Sequence, residues 1–342
     1  MIAGFEIGGQ MALLAKAFRR KGLQCQSVAL NQDFRDFDND VSLTKKGIKS
    51  IAEKALFLAR SIDKYDIFYF FWGKSFLDTN RFPNLDIPIL KFLGKKVLMH
   101  YRGSDLLNID YYQVLRKIAL GEEGDFFSPL VAKQTCKQVN RVNWCGKWTD
   151  YILVSTPNLI ELVPENVEPK LFPQVINTNE WRPEKRQQNQ KDKIVVAHAP
   201  TRRFVKGTDL IIQAIENLKI QGVNIELRLI EGMPFSKMKA VLEDADLGID
   251  QLFSGWYGKI AVEMMALGKP VFCYIAQKYE KIANFSPPIV RTTATSLEQD
   301  LKNFIANGRQ EWNSIGLEGR HFVERHHDVD KEADRILQLL DV

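Results

Sequence analysis

Short apolar runs alternate with amphipathic segments from one end of this sequence to the other. The runs are apolar at consecutive positions rather than at every second position, which is typical of parallel strands covered by helices on both faces. The predicted strands are Cys25–Leu30, Ile67–Trp72, Lys96–His100, Tyr151–Ser155, Ile194–Ala197, Ile225–Ile230, Leu247–Asp250, Pro270–Tyr274 and Ile289–Arg291. The predicted helices include Gln10–Lys21, Lys45–Ser61, Val131–Cys145, Thr208–Gln221, Lys237–Glu243 and Lys259–Leu267. This alternation predicts doubly wound α/β sheets.

The length of the chain predicts two domains. With 342 residues the chain is about twice the size of a typical domain. A polar stretch at Arg182–Lys193 interrupts the alternation, so we take it as the linker. We predict a first domain over residues 1–180, a second over 181–320, and a terminal segment over 321–342. The first domain is irregular, because only Met1–Phe5 precede the glycine pair Gly8-Gly9, so its first strand is either very short or lost.

Composition and charge narrow the class of protein. Hydrophobic residues make up 45% of the chain and charged residues 26%, which is typical of folded domains. The net charge of +5 does not indicate a nucleic-acid binder, although it is compatible with anionic substrates or an anionic membrane surface. The longest apolar run, Ile67–Trp72, is too short for a membrane span, and no secretory signal is apparent. The four cysteines form no CxxC pair, which fits a reduced cytoplasmic protein without a zinc site.

A glycine pair precedes the first predicted helix. In Gly8-Gly9-Gln10 the glycines permit a ligand to approach backbone N–H groups, and the helix dipole favours an anion there. An ordinary tight turn explains the same residues equally well. The pattern is not a full GxGxxG and no acidic residue ends the next strand, so the sequence argues against an NAD enzyme.

Polar residues cluster just after one strand of the first half. His100, Arg102, Ser104 and Asp105 follow a predicted strand, at the edge where open α/β sheets bind ligands. A packed or hydrogen-bonded histidine is the alternative, but four polar groups around one glycine favour a site.

A basic cluster lies between a strand and a helix of the second half. Arg202, Arg203 and Lys206 precede the helix that begins near Thr208. A diphosphate needs two or more positive charges with backbone donors beside them, and this loop provides both. Solvated surface charges are the alternative.

The stretch Asp250–Val271 carries the most specific pattern. It predicts a strand end, a glycine-rich loop, a helix that carries Glu263, and a helix stop at Gly268 before the next strand. Because apolar residues surround Glu263 in the sequence, we expect its carboxylate to be half buried and to need hydrogen-bonding partners. The paired hydroxyls of a ligand would satisfy it, and a backbone group or a lysine is the alternative.

Several of these segments, in sequence order, resemble the GT-B glycosyltransferases, in particular glycosyltransferase family 4. The stretch Gly258-x4-Glu263-Met-Met-Ala-x-Gly268-x-Pro270-Val271 is similar to the nucleotide-sugar signature of that family. The other segments that resemble family motifs are Gly8-Gly9-Gln10, Asp66–Gly73, Arg102–Asp105, Ile176–Pro183 and Lys206-Gly207. The resemblance covers nearly the whole chain.

The resemblance implies a fold and a type of reaction. The fold consists of two Rossmann-like doubly wound domains that face each other across a cleft, with a last helix, Arg320–Asp341, that crosses back to the first domain. The reaction retains the anomeric configuration and uses no metal ion and no cofactor, since the nucleotide sugar is a substrate. The leaving diphosphate helps to deprotonate the acceptor while positive groups stabilise its charge, so catalysis consists of electrostatic stabilisation and positioning.

The resemblance also implies roles for individual residues. Lys206 with one neighbouring arginine would bind the donor diphosphate, and Glu263 would bind the ribose hydroxyls. The predicted catalytic residues are His100, Arg102, Arg202 and Lys206. The predicted donor-binding residues are Gly8, Gly9, Arg203, Gly255, Trp256, Tyr257, Gly258 and Glu263. The predicted acceptor-side residues are Gln10, Ser104 and Asp105.

Two departures from the family pattern bear on the donor side. The family has a second glutamate eight positions before Glu263, where this chain has Gly255, so sugar recognition must differ, and the backbone N–H groups of Gly255–Gly258 are the candidates for it. The arginine of the family lies five or six residues before the lysine, whereas Arg202 and Arg203 lie four and three residues before Lys206. We choose Arg202 as its counterpart.

A third departure concerns a histidine. The loop histidine of the family falls at Arg102 in this chain, while His100 lies two residues earlier, at the strand end. The sequence does not decide which of the two side chains enters the cleft.

The leading hypothesis is a cytoplasmic, retaining, metal-independent glycosyltransferase with a nucleotide-sugar donor and a glycan, lipid-linked or small-molecule acceptor. The first alternative is a catalytically inactive GT-B protein that binds a nucleotide or glycan as a partner subunit, which Gly255 and the irregular first strand favour. The second is a sugar-nucleotide epimerase of the same architecture, which would need several acid and base side chains.

A basic helix end at Lys16, Arg19, Arg20 and Lys21 suggests peripheral contact with the inner membrane surface, with ordinary surface charge as the alternative.

Overall fold

The computed structural model describes residues 1–31, 37–44, 48–79, 82–107, 109–122, 129–183 and 193–342. These residues form two compact units, each built on a parallel β-sheet with helices packed against it, as the alternation in the sequence predicts. The first unit contains Met1–Asn108, Pro129–Val175 and Val329–Val342. The second contains Ile109–Ser128 and Ile176–Asp328, so it includes a segment that lies within the first 180 residues.

The strands and helices follow one another in the predicted alternation. The strands are β1 (Ile2–Gly4), β2 (Ser27–Ala29), β3 (Val41–Ser42), β4 (Ile67–Phe71), β5 (Lys96–Tyr101), β6 (Tyr151–Val154), β7 (Pro169–Leu171), β8 (Ile194–His198), β9 (Ile225–Leu229), β10 (Leu247–Ile249), β11 (Val271–Cys273) and β12 (Val290–Arg291). The helices are α1 (Gln10–Arg20), α2 (Ile48–Ile62), α3 (Asp86–Phe92), α4 (Ile109–Ala119), α5 (Pro129–Trp148), α6 (Arg203–Lys206), α7 (Thr208–Ile220), α8 (Phe235–Asp244), α9 (Lys259–Ala266), α10 (Gln277–Ala283), α11 (Leu297–Asn307), α12 (Arg309–His326) and α13 (Val329–Leu340). A 3-10 helix spans Pro157–Leu162.

The structure confirms all nine predicted strands, with bounds that differ from the predictions by one or two residues. The first strand, β1, is present but only 3 residues long. Strands β3 and β7 were not predicted, because they are very short and lack the fully buried apolar run of the other strands. Residues 45–47 of one predicted helix and residues 184–192 of the predicted linker lie outside the described residues.

The strand order of each sheet places its first strand in the interior. In the first unit the order is β3-β2-β1-β4-β5-β6-β7, so β1 lies between β2 and β4. In the second it is β12-β11-β10-β8-β9, so β8 lies between β9 and β10. Where the strand order reverses in this way, a crevice opens at the carboxyl ends of the strands, and α/β proteins bind ligands there. Topology therefore positions the loops that follow β1, β4, β8 and β10 as candidate sites.

Two helices occupy the residues for which a single C-terminal helix was predicted. Helix α12 continues to His326 in the second unit, and the chain then turns at His327, whose buried carbonyl oxygen accepts a hydrogen bond of 2.8 Å from the Ile176 N–H. Helix α13 packs against α1 in the core of the first unit. The chain thus returns to the first unit, as the resemblance implies, but it does so at α13 rather than at residue 320.

Candidate functional site

Two loops of the second unit meet at the carboxyl edge of its sheet. One follows β8 and leads through the short helix α6 to Gly207 and α7, and the other follows β10 and leads to α9. Strands β8 and β10 are parallel neighbours, with Val196 opposite Leu247, so both loops leave the sheet at the same edge. The predicted basic cluster and the predicted glycine-rich loop therefore lie side by side.

An ion pair joins these two loops. Lys206 Nζ lies 2.5 Å from Asp250 Oδ1, and the other carboxylate oxygen of Asp250 accepts a hydrogen bond from the Gly258 N–H. The Asp250 side chain is fully buried. A Cβ atom at Gly258 would lie 2.9 Å from Lys206 Nζ, so a larger residue here would displace the end of the lysine side chain. The charge of Lys206 is thus compensated within the chain, a contact that the sequence did not predict.

The two arginines of the basic cluster differ in their surroundings. Arg203 pairs with Glu231, with distances of 2.8 Å from Nε and 2.5 Å from Nη2 to the two carboxylate oxygens. Arg202 is exposed and immediately precedes α6. The Arg203 guanidinium is thus engaged by a carboxylate, and the choice of Arg202 as the counterpart of the family's arginine stays a prediction.

Glu263 is more deeply buried than the sequence predicts. It lies in α9, where Ile260 to Ala266 are all buried, and its own side chain is 2% exposed. The Lys259 ammonium, one turn earlier, lies 3.4 Å from Glu263 Oε1. The structure therefore shows a lysine partner, which was one of the alternatives weighed for this carboxylate.

The aromatic pair of the glycine-rich loop belongs to the core of the second unit. Trp256 and Tyr257 are buried, stack on each other with ring centroids 5.0 Å apart, and the Tyr257 hydroxyl is hydrogen-bonded to His327 Nε2 at 2.8 Å. Protein therefore covers both side chains, so a contact of these two residues with the donor would come from their backbone groups.

Gly255 has a conformation that disfavours any other residue. Its φ of +72° lies in the left-handed region, and a Cβ there would be 2.8 Å from Tyr279 Cε2 and 3.1 Å from Ala276 Cβ. The absence of the family's glutamate at this position is thus a structural property of the loop.

His198, which we had not assigned a role, connects the two loops. It ends β8 and is fully buried, with Nδ1 2.8 Å from the Ile249 carbonyl oxygen and Nε2 2.8 Å from Thr208 Oγ1. Because a carbonyl only accepts, Nδ1 carries the proton, and Nε2 accepts from the threonine hydroxyl. Burial lowers the pKa of His198 to about 4. The neutral imidazole therefore fixes the start of α7 relative to the end of β10.

The low pKa of His198 predicts a loss of stability in acid. The folded state excludes a proton that the unfolded state binds, so this stabilisation is complete above the ordinary pKa of 6.5 and is lost as the pH falls towards 4. We expect His198→Asn, which keeps a donor near the Nδ1 position, to show a smaller loss of unfolding free energy between about pH 7.5 and about pH 5 than the unsubstituted chain. Urea denaturation at both pH values measures this difference, and equal losses in the two proteins would contradict it.

Arg116 of α4 contacts the loop that carries the basic cluster, and the sequence analysis did not identify this residue. Its guanidinium donates to both carboxylate oxygens of Asp209 in the first turn of α7, at 3.0 and 2.5 Å. It also lies over the rings of Phe204 and Phe253, 5.3 and 5.2 Å from their centroids. The hydrogen bonds from Arg116 lower the pKa of the Asp209 carboxyl. One side chain thus contacts α6, α7 and the loop after β10.

In the first unit, a carboxylate of the chain already lies at the start of α1. Gly8 and Gly9 have φ values of 68° and 73°, and they turn the chain into the helix. The buried carboxylate of Glu6 accepts hydrogen bonds from the N–H groups of Met11 and Ala12, at 3.4 and 3.2 Å. The helix N-terminus that we expected to face an anionic ligand therefore holds an internal anion.

Gln10 and Arg102 form a buried network rather than an open acceptor surface. The Gln10 amide exchanges two hydrogen bonds with the backbone of Val175, at 2.8 and 2.7 Å, and its oxygen also accepts from Arg102 Nη2 at 2.9 Å. Burial lowers the pKa of Arg102 to about 10, so it remains charged at neutral pH. The acceptor role predicted for Gln10 does not fit this position, because its amide is engaged within the chain.

His100 is also enclosed. It is 2% exposed, with Nδ1 2.7 Å from the Tyr69 hydroxyl and Nε2 3.0 Å from Ser155 Oγ. Burial, with a smaller effect of the Arg102 guanidinium, lowers the pKa of His100 well below its usual range. His100 is therefore a neutral side chain with both nitrogens engaged, which argues against the catalytic role predicted for it.

Asp105 closes the turn after β5. Its carboxylate accepts hydrogen bonds from the N–H groups of Arg102, at 3.0 and 2.9 Å, and Gly103, at 2.7 Å. Burial raises the pKa of Asp105 to about 6. Ser104, between these residues, is half-buried. Asp105 holds the loop in shape, and Ser104 keeps its predicted role on the acceptor side as a prediction.

Comparison with solved structures identifies the fold. The chain is similar to a sucrose-phosphate synthase from Thermosynechococcus elongatus, with a TM-score of 0.63 and 14% identity over 99% of this chain and 98% of that one. It is similar to Anabaena HepE in complex with UDP-glucose, with a TM-score of 0.62 and 14% identity over 99% of both chains. The chain is also similar to a glycosyltransferase from Rickettsia africae, with a TM-score of 0.60 and 13% identity over 99% of this chain and 97% of that one. No protein-family model and no curated protein matches the sequence.

The chain has the GT-B fold. Within it, the predicted donor residues divide into two groups. Lys206 and Gly258 meet at the carboxyl edge of the second sheet, and Arg202 and Glu263 lie on the elements beside them. The aromatic pair of the glycine-rich loop lies in the core instead.

The basic end of α1 is neutralised within this GT-B chain. Its four cations each form an ion pair with an aspartate of the first unit, at 2.6 to 2.9 Å: Lys16 with Asp38, Arg19 with Asp40, Arg20 with Asp330 and Lys21 with Asp334. The predicted membrane contact therefore loses the excess of positive charge on which it was based. Within the described residues, every helix falls short of the length and apolar character that a bilayer span requires.

Proposed function

We propose that this chain is a glycosyltransferase that moves a sugar from a nucleoside-diphosphate sugar to the hydroxyl group of an acceptor. The observation that carries the proposal is the carboxyl edge of the second sheet, where Lys206, the exposed Arg202 and the start of α7 surround the point at which the strand order reverses. The shared fold supports it, because the solved structure of HepE holds UDP-glucose.

Charge and burial support a proposed role for each group at this edge. Lys206 and Arg202 bind the diphosphate, because charge-assisted hydrogen bonds are the strongest that a protein offers to phosphate. The backbone N–H groups at the start of α7 add donors. Glu263 binds the ribose hydroxyls and, in the free chain, is held by Lys259. Gly255 cannot replace the family's glutamate, so backbone groups of the loop contact the transferred sugar.

The proposed mechanism retains the anomeric configuration and uses no metal ion, as the resemblance to family 4 implies. The leaving diphosphate takes the proton of the acceptor hydroxyl, while Lys206 and Arg202 stabilise the charge that develops on it. His100 takes no part in proton transfer, since both ring nitrogens are engaged inside the first unit. The acceptor is a glycan, a lipid-linked saccharide or a small molecule.

A second candidate function is a non-catalytic protein that binds a nucleotide and acts as a partner subunit. Two observations favour it: Gly255 stands where the family has a glutamate, and Lys206 is already paired with Asp250. Nucleotide binding without sugar transfer or donor hydrolysis, across a panel of donors and acceptors, would support this candidate over the enzyme.

The proposed roles predict a loss of nucleotide affinity in two variants. Lys206→Met and Glu263→Gln should each weaken the binding of the preferred nucleotide by at least about tenfold, because each removes one charge-assisted interaction. A thermal-shift screen with UDP, GDP, ADP and TDP identifies that nucleotide, since a ligand that binds the folded state raises the melting temperature. Titration calorimetry then measures the affinity.

The control for these variants is Lys219→Met. Lys219 is also paired with a carboxylate, that of Glu216 at 2.7 Å, but it lies in the last turn of α7, at the opposite end of that helix from the proposed site. The nucleotide affinity of Lys219→Met should equal that of the unsubstituted chain. Unchanged nucleotide affinity in both Lys206→Met and Glu263→Gln would contradict the site assignment.

A further inference from the structure

Asp250 occupies a position that resembles that of a bound phosphate. Its fully buried carboxylate lies between the Lys206 ammonium, at 2.5 Å, and the backbone N–H of Gly258 at the start of α9. A cation combined with a backbone donor at a helix N-terminus is the arrangement with which proteins bind phosphate. Here a side chain of the protein fills that arrangement.

The other cations around this edge are also matched by carboxylates. The pairs on the neighbouring elements are Arg203 with Glu231, Arg116 with Asp209 and Lys259 with Glu263. Among the described residues, an incoming diphosphate therefore meets little uncompensated positive charge beyond that of Arg202. The charge of Lys206 is itself balanced by the Asp250 carboxylate.

We propose that Asp250 is an internal anion that lowers the affinity of the site for the donor diphosphate and so sets the strength of donor binding. This inference rests on the proposed function. A phosphate that approaches Lys206 comes within a few ångströms of the Asp250 carboxylate, and like charges at that separation repel each other strongly in a partly desolvated site. Asp250 therefore opposes the ligand that Lys206 attracts.

The direction in which diphosphate affinity changes when Asp250 loses its charge separates this role from the more usual one, in which an aspartate orients a lysine for its ligand. If Asp250 only orients Lys206 for its ligand, removal of its charge weakens diphosphate binding. If Asp250 competes with the ligand for Lys206 and the Gly258 N–H, removal of its charge strengthens binding. The geometry favours competition, because Asp250 already engages the Lys206 ammonium, which the proposed function assigns to the diphosphate.

The test is Asp250→Asn, which keeps the shape of the side chain and removes its charge. We expect this variant to bind inorganic pyrophosphate and UDP at least about tenfold more tightly than the unsubstituted chain in titration calorimetry, because the like-charge repulsion is gone. Adding Lys206→Met to Asp250→Asn should abolish the gain.

A matched control is Asp246→Asn. Asp246 is a buried aspartate at the amino end of β10; it pairs with Arg309 at 2.9 Å and accepts a hydrogen bond of 2.8 Å from the Val195 N–H. It thus resembles Asp250 in its environment but lies at the opposite edge of the sheet. Its replacement should leave pyrophosphate and UDP affinity unchanged.

Several outcomes would overturn the inference. The inference is wrong if Asp250→Asn binds pyrophosphate and UDP no more tightly than the unsubstituted chain. It is also wrong if Asp246→Asn gains as much affinity as Asp250→Asn. If Asp250→Asn does not fold, Asp250→Ser takes its place and the same outcomes apply. The inference and the proposed function fail separately: tighter pyrophosphate binding without sugar transfer contradicts the enzyme, whereas sugar transfer without tighter binding contradicts the role of Asp250.

Discussion

Gly255→Glu should destabilise the second unit rather than restore a sugar contact. The residue has a φ of +72°, and its Cβ would lie 2.8 Å from Tyr279 Cε2 and 3.1 Å from Ala276 Cβ. A left-handed conformation and an overpacked contact together should reduce the free energy of unfolding by about 2–5 kcal/mol. Urea denaturation measures the loss, and nucleotide-sugar hydrolysis shows whether activity falls with it.

Two further variants separate the causes of this loss. Gly255→Ala introduces the same backbone strain but adds only a Cβ atom to the crowded contact. Its loss of unfolding free energy should therefore be smaller than that of Gly255→Glu. Combining Gly255→Glu with Tyr279→Ala should relieve the clash but not the strain. A Gly255→Glu protein as stable as the unsubstituted chain, with greater sugar transfer, would show that the loop adopts another conformation.

Gly316→Ala should destabilise the chain although alanine is the better helix former. Gly316 lies in α12, where a Cβ would overlap the backbone of Gly268 at the end of α9, with the Gly268 carbonyl carbon 2.7 Å away. Helix propensity alone predicts a gain of about 1 kcal/mol. Because backbone atoms cannot rotate away as a side chain does, we expect instead a loss of about 3 kcal/mol. Urea denaturation distinguishes the two signs.

Gly319→Ala is the matched control for that prediction. It lies one turn later on the same face of α12, but its Cβ would meet the side chain of Met265, with Cγ at 3.0 Å, and a methionine side chain can adjust. Its loss should be clearly smaller than that of Gly316→Ala. A stabilised Gly316→Ala protein would mean that α12 does not lie directly on α9, the helix that carries Glu263.

The fold could be predicted because its signal is local. Consecutive apolar positions in a short run identify a buried parallel strand wherever they occur, and nine such runs correspond to nine strands of the structure. Glycines at helix ends were similarly informative: Gly268 follows α9 with a φ of +68°, as a stop signal should. The alternation of strands and helices also predicted which loops lie at the carboxyl edges of the sheets, and therefore the region of the candidate site.

The partners of the site residues could not be predicted, because they come from distant parts of the chain. Asp209 pairs with Arg116, 93 residues earlier, and Lys206 pairs with Asp250, 44 residues later. Neighbouring residues of one loop also differ in their surroundings: the side chains of Trp256 and Tyr257 lie in the core, whereas Gly258 lies next to Lys206. A sequence shows which residues follow a strand, but the pairing of strands decides which charges meet.

The enclosed histidine of the first unit illustrates the same limit. His100 ends a strand, which is where functional side chains cluster, yet the flanking strands β4 and β6 bring Tyr69 and Ser155 to its two ring nitrogens. Only the strand order identifies these neighbours. Glu6 differs, because it is local: it lies a few residues before α1 and accepts from the first N–H groups of that helix, where a ligand anion had been expected.

The central claim is that the donor diphosphate binds at the carboxyl edge of the second sheet, and a crystal structure of the chain with UDP bound tests it most directly. We predict phosphate oxygens within hydrogen-bonding distance of Lys206 Nζ, about 2.7–3.2 Å, and ribose hydroxyls within the same distance of the Glu263 carboxylate. A nucleotide bound elsewhere, with both side chains still engaged only with Asp250 and Lys259, would contradict the claim.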